Sequence, residues 1–299
     1  MPDYPEAARP LTELEPQHEF FIGIDSDGCA FDTMEIKHKE CFIPNTIKHW
    51  GLQPVSKYAR EVGEFVNLYS KWRGINRWPA LVMVFDLLSQ RDEVKARSVE
   101  LPRAPRLRAF IAAEGFAKSN DGLAAFRAHQ PDPELDIAWA WTTGVNAAVQ
   151  DMVSGIPPFP WVGESLDFLA DKADMIVVSA TPVEALSREW TEHGIAPFVR
   201  IIAGQEMGKK ALHLELAARD RYAPEKVLMI GDAPGDLQAA RANGALFYPI
   251  NPGREERSWQ QFHDDAVHRF LAGNYAGDYE AALVAEFEAL LPDQPPWGR

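Results

Sequence analysis

Apolar residues in this chain fall into two rhythms. Short runs dominated by branched or bulky apolar side chains lie at residues 20–25, 175–178, 200–203, 226–230 and 246–250. Runs of this kind read as strands buried on both faces of a parallel sheet. Stretches at 163–172, 182–193, 209–220 and 234–243 instead carry apolar residues every three or four positions, which predicts helices. Strand and helix thus alternate after about residue 160, the pattern of an α/β fold with helices on both faces of the sheet. From Met34 to about Gly155 the pattern is helical, with segments at 56–72, 79–98, 104–116, 121–129 and 136–153. Trp78-Pro79, Leu101-Pro102 and Gln130-Pro131-Asp132-Pro133 punctuate them. Gly155-Ile156-Pro157-Pro158-Phe159-Pro160 is a stiff break suited to a hinge or linker. Residues 1–18 read as an irregular lead-in, and 258–291 as two further helices. The expected organisation is a parallel-sheet domain, residues 1–32 and 156–299, interrupted by an all-helical insert, residues 33–155.

Two of the strand runs end in acids. Phe20-Phe21-Ile22-Gly23-Ile24 leads into Asp25-Ser26-Asp27-Gly28, and Val227-Leu228-Met229-Ile230 leads into Gly231-Asp232-Ala233-Pro234-Gly235-Asp236. In open α/β sheets the C-terminal edge of the strands is where ligands bind. Two unit charges ~4 Å apart repel by ~4 kcal/mol at an effective dielectric of ~20. Carboxylates gathered there need a cation, and oxygen-only ligands suit a hard one such as Mg²⁺.

Composition narrows the partners. The chain has 299 residues and a net charge of 30 − 44 = −14. That balance disfavours nucleic acid and an anionic membrane, while leaving room for a small anionic substrate in a pocket where local charge is reversed. Only Cys29 and Cys41 are present, too few for a disulfide framework, so a reducing cytoplasm is the expected setting. The N-terminal residues carry no signal-peptide pattern, and no apolar run approaches the ~18 residues of a membrane span.

Asp25-Ser26-Asp27-Gly28, Ser179 after a strand, a lysine at 209–210, and Gly231-Asp232 followed by Asp236 together resemble, in order, the four motifs of the haloacid dehalogenase-like hydrolases. The helical insert directly after the first motif is similar to that superfamily's C1 cap. The resemblance implies a Rossmann-like core, an aspartyl-phosphate mechanism and Mg²⁺ as cofactor. In those terms Asp25 is the nucleophile. Asp27 protonates the leaving oxygen and then activates water. Gly28 permits the sharp turn. Ser179 holds a phosphoryl oxygen, and Thr181 either assists it or caps the helix at 182. Lys209 or Lys210 offsets the negative charge, with Lys210 preferred because its Lys-x-x-His-Leu run resembles the motif-three lysine of some members. Asp232 completes the metal sphere with the Asp25 side chain and the Asp27 carbonyl. Asp236, one helical turn on, reaches the metal through water, pairs with the lysine, or complements the helix start.

Trp72-Arg73-Gly74-Ile75-Asn76-Arg77-Trp78 joins two expected helices of the insert. It is similar to the basic substrate-recognition loop of phosphoglucomutase-like caps, and Arg73 and Arg77 suit bidentate capture of an anion, with the tryptophans as walls. A solvated turn is the competing reading. His38, His49, His129, His193, His213 and His263 show no metal-ligand spacing. The second acid, Asp27, favours phosphate-ester hydrolysis or phosphoryl transfer. The expected activity is therefore a Mg²⁺-dependent phosphatase acting on a small phosphorylated metabolite. A sugar-phosphate mutase and a non-catalytic binding module on the same fold are the alternatives.

Overall fold

Five strands form one parallel sheet in the computed structural model, which describes residues 4–298. They are β1 (Phe20–Ile24), β2 (Ala173–Val178), β3 (Ile201–Ala203), β4 (Val227–Gly231) and β5 (Leu246–Pro249), in the order β3-β2-β1-β4-β5. The chain winds outward from β1 to β3 on one side, then crosses to β4 and β5 on the other. A crevice at such a switch point is where α/β folds bind ligands. Ile24 pairs with Val177 of β2 and Ile230 of β4, so three neighbouring strands release their next residues at the same edge. Every residue of β2 and of β4 is buried, which explains why these runs lack alternation. Gly23 is required by packing: a Cβ there would stand 2.8 Å from Leu214 and 3.1 Å from Val178.

The chain divides into two compact units, Met1–Met34 with Gly155–Leu290, and Glu35–Ser154 with Leu291–Arg299. The first holds the sheet and the helices Val162–Leu169, Val183–Glu192, Lys210–Ala218 and Pro234–Ala242. The lead-in is more ordered than its polar sequence suggests. Short helical turns occupy Glu6–Ala8 and Arg9–Thr12, Ala8 and Leu11 are fully buried, and Asp174 accepts the N–H groups of Gln17 and His18 at 2.8 and 2.9 Å. The proline-rich stretch is tied down as well. Phe31 bridges to Pro158, and Phe159 N–H donates to the Ala30 carbonyl at 2.9 Å.

Beyond β5 come Glu255–Gln261 and Asp278–Leu290, with a π-helical turn at Phe262–Ala266 and a short helix at Val267–Leu271 after the first. This segment covers the outer strand. Tyr275 Oη donates to the Phe247 carbonyl at 2.7 Å, and Phe247 N–H donates to Glu280 at 3.0 Å. Both outward-facing backbone groups of that β5 residue are satisfied, and the edge is blunted.

The second unit is all-helical among the described residues. Its longer helices are Ile43–His49, Ser56–Asn67, Arg77–Gln90, Pro105–Ala112, Asn120–His129 and Pro133–Met152. Asn76, Ser119 and Asp132 cap three of them through side-chain oxygens. The helix expected over 79–98 stops at Gln90. There the Arg91 backbone turns to an extended conformation, and its nearly buried guanidinium pairs with Glu61 and Glu93. Residues 291–299, read from the sequence as part of the sheet domain, lie with this unit. Lys71 N–H reaches the Pro292 carbonyl, and Trp297 packs edge-on against Phe65 with the Arg91 guanidinium 4.7 Å from its ring centre.

Candidate active site

Four sequence-distant groups meet at the C-terminal edge of the sheet. Asp25 follows β1, Ser179 follows β2, Asp232 follows β4, and Lys210 opens the helix after β3. Ligand oxygens of Asp25, Asp232 and Asp236 lie within 4.8 Å of one another, and all three residues are buried. Lys210 Nζ stands between two of them, 2.6 Å from Asp25 Oδ2 and 2.6 Å from Asp236 Oδ1. Lys210 is thus the lysine that joins the cluster, while Lys209 is exposed at the helix start.

The charges explain themselves. Burial pushes the Asp25 carboxyl well above the usual range; the Lys210 ammonium pulls against this, and Asp236 and Asp232 push it up again. Burial alone would lower the Lys210 ammonium, but Asp236, Asp25 and Asp232 outweigh it and hold it raised and charged. Three carboxyl groups thus face a single ammonium. The donor set is oxygen only, which fits a hard divalent cation such as Mg²⁺.

Asp236 is already well occupied. Besides Lys210, it accepts the backbone N–H groups of Asp232 and Ala233 through Oδ2, at 3.2 and 3.0 Å. Gly231 makes this possible: a Cβ there would lie 2.4 Å from the Asp236 Cβ. Of the alternatives open in the sequence, pairing with the lysine and serving the helix start are both present. Asp25 and Asp232 are then the side chains best placed to ligate a cation.

Asp27 sits apart from that cluster. Gly28 adopts φ 77°, and the turn folds back so that Cys29, Ala30 and Phe31 N–H groups all reach the Ser26 carbonyl. Asp27 Oδ2 accepts the Thr181 hydroxyl at 2.6 Å, and Oδ1 accepts the Thr33 hydroxyl. Thr181 therefore serves Asp27. The helix Val183–Glu192 has no side-chain cap, so the capping role open in the sequence is not the one its hydroxyl plays. Ser179 Oγ accepts the Thr181 N–H at 3.2 Å, which leaves the Ser179 O–H able to donate.

Of the residues named from sequence, Asp25, Asp27, Ser179, Lys210, Asp232 and Asp236 belong to this edge of the first unit. Arg73 and Arg77 belong to the second unit. Arg73 is 3% exposed and donates Nη1–H to the Leu68 carbonyl at 2.9 Å, closing its own loop. Arg77 donates to Thr142 Oγ1 at 2.9 Å and Asn146 Oδ1 at 2.8 Å, and lies 5.0 Å from the Phe42 ring centre. Burial lowers its guanidinium to about 10. Trp78, expected to wall a pocket, is fully buried in core packing against Phe110 and Trp141. Thr33 carried no sequence signal, because its role depends on a turn that only the fold closes. His213, one helical turn from Lys210, is fully buried, and burial with the Lys210 charge lowers its imidazole to about 4.

No family model matches the chain, and no curated protein matches it. Solved structures do. A β-phosphoglucomutase from Clostridium difficile is 12% identical, with 86% of this chain and 98% of that one covered and a TM-score of 0.48. A predicted phosphoglycolate phosphatase from Haemophilus somnus 129PT is 16% identical, with coverages of 78% and 86% and a TM-score of 0.46. A haloacid dehalogenase-like family hydrolase from Streptococcus pneumoniae is also 16% identical, with coverages of 81% and 90% and a TM-score of 0.42. At such identities and TM-scores these are likenesses alone, and the chemistry has to come from the site's own groups. No helix among the described residues is long and apolar enough to cross a membrane.

Proposed function

We propose that this chain is a haloacid dehalogenase-like phosphatase that hydrolyses a small phosphorylated metabolite with Mg²⁺ through an aspartyl-phosphate at Asp25. The observation that carries the reading is Lys210 bridging Asp25 and Asp236 while Asp27, two residues on, is held separately by Thr181 and Thr33. One carboxylate is kept for attack and the other for proton transfer. Asp25 and Asp232 side chains, with the Asp27 carbonyl, would hold Mg²⁺, which supplies charge neutralisation for the phosphoryl oxygens.

Asp25 attacks phosphorus, and the bond to the ester oxygen breaks as Asp27 gives that oxygen its proton. Asp27, now a carboxylate, takes a proton from water. The water oxygen attacks phosphorus, the Asp25–phosphorus bond breaks, and phosphate leaves. Threonine hydroxyls donate to a carboxylate and accept from a carboxylic acid, so the Thr33–Thr181 pair can serve Asp27 in both states. Ser179 O–H and the Lys210 ammonium face the transferring group's charge. The second unit, inserted after the first motif, has the place of a cap in the chain, and Arg77 is its candidate for contact with a second anionic group of the substrate.

A panel of phosphorylated metabolites with Mg²⁺, scored for phosphate release, tests this. Release that disappears in Asp25→Asn supports the phosphatase. Transfer of phosphate between substrate hydroxyls without release identifies a mutase, and silence across the panel favours a binding module.

A further inference from the structure

Two indoles grip the turn that carries the acids. Trp190, on Val183–Glu192, donates Nε1–H to Ser26 Oγ at 3.0 Å, and that hydroxyl donates to Glu189 at 3.2 Å. Trp259, on Glu255–Gln261, donates Nε1–H to the Cys29 carbonyl at 2.8 Å. Both rings are fully buried. An indole has one donor, so each ring's only polar group is committed to residues 25–31.

The anchors bracket Asp27, one on the residue before it and one two residues after. Inside the turn, bonds to the Ser26 carbonyl and from Gly28 N–H to the Phe31 carbonyl make it a rigid loop. Those internal bonds do not set the loop's tilt on the end of β1. Trp190 pins the near side, Trp259 the far side, and Phe159 N–H adds a third hold at the Ala30 carbonyl. The threonine hydroxyls can meet the Asp27 carboxylate only when this backbone is in place.

We propose that Trp190 and Trp259 are positioning residues for the proton transfers of Asp27, and that the segment after β5 is thereby part of the catalytic apparatus. This rests on the phosphatase reading. A displacement of ~1 Å in a reacting group can cost ~10²-fold in rate.

The test uses the full chain with Mg²⁺ and two generic esters, p-nitrophenyl phosphate and phenyl phosphate, the latter with the poorer leaving group. Trp190→Phe and Trp259→Phe keep a packed ring and remove the N–H. Each should lower kcat about 10- to 100-fold with KM little changed, and the loss should be larger on phenyl phosphate, where protonation of the leaving oxygen matters more. Ser26→Ala, which leaves both rings in the core, should copy the Trp190→Phe loss, and the double variant should add little to it. In 15N-labelled wild type, the Trp259 indole N–H should exchange as slowly as the core amides. Equal losses on the two esters, unchanged kcat in folded variants, or a fast-exchanging Trp259 indole would overturn the proposal alone. Wild type no more active than Asp25→Asn on either ester would remove the phosphatase reading and this proposal with it.

Discussion

Thr181 and Asp27 are 154 positions apart in the chain and share a hydrogen bond of 2.6 Å. The bond crosses from the end of β2 to the end of β1, so the parallel register of those two strands is what brings donor and acceptor together. A hydroxyl that donates to a carboxylate favours its charged form. Thr181→Val should leave Asp27 Oδ2 without its donor, loosen the aim of the carboxyl group and lower kcat. The expected loss in kcat is about 10- to 100-fold, since a hydrogen bond to a charged group contributes about 1.5–3 kcal/mol. Unchanged kcat in a folded variant would assign Thr181 to packing.

Asp27→Asn should cost ~10²–10⁴-fold in turnover and leave folding intact, because it removes a proton carrier and keeps the shape. Trapping of a phosphorylated protein in that variant, read by intact mass, would place the defect in the second step. Normal turnover of an alkyl phosphate would refute the assignment.

Lys210→Met leaves Asp25 and Asp236 facing each other without their shared cation. In chelator, denaturant unfolding should show a loss on the order of 3 kcal/mol, the scale of breaking a buried ion pair from one side. Because the carboxylates then lack any cation, Mg²⁺ should raise the melting temperature of the variant more than that of wild type. No shift in either protein would mean that no cation binds at these acids.

His213 links stability to mild acid. Its folded-state pKa is lowered to about 4, from 6.5. Between those values the unfolded chain binds the proton and the folded chain does not, so stability falls as pH drops through that window and is fully present above it. The total is on the order of 3 kcal/mol. Comparing unfolding of wild type and His213→Gln at pH 7 and pH 5 checks this: the variant should lose less on acidification.

Arg77 has no carboxylate partner among the described residues, and its donors reach only neutral oxygens. Arg77→Ala should weaken kcat/KM for a substrate with a second anionic group far more than for p-nitrophenyl phosphate. Equal losses would place it in folding; no loss on either would make its loop an ordinary turn.

Much of this molecule is visible in local pattern. Runs such as Val227–Ile230 are apolar on both faces because both faces of a parallel strand are covered, and the acids that follow Ile24 and Ile230 mark the open edge. The positions of the strands along the chain and the place of the insert could be read that way, while the role of Asp25 is what the family resemblance implies. Four features could not, because each depends on which distant residues meet. The sequence favours Lys210 over Lys209 only by a resemblance; the helix start points Lys210 at Asp25 and leaves Lys209 in solvent. Thr181 reads as a cap until β1 and β2 align. Nothing in the sequence marks Trp190 and Trp259, and it is the single N–H of each ring, aimed at Ser26 and Cys29, that ties them to the acids. Arg91 falls inside a segment that reads as one helix, yet the helix stops before it and its buried guanidinium pairs with Glu61. Periodicity reports the burial of a face, which is a local average; hydrogen bonds are directional and pairwise, and only the folded chain decides their partners.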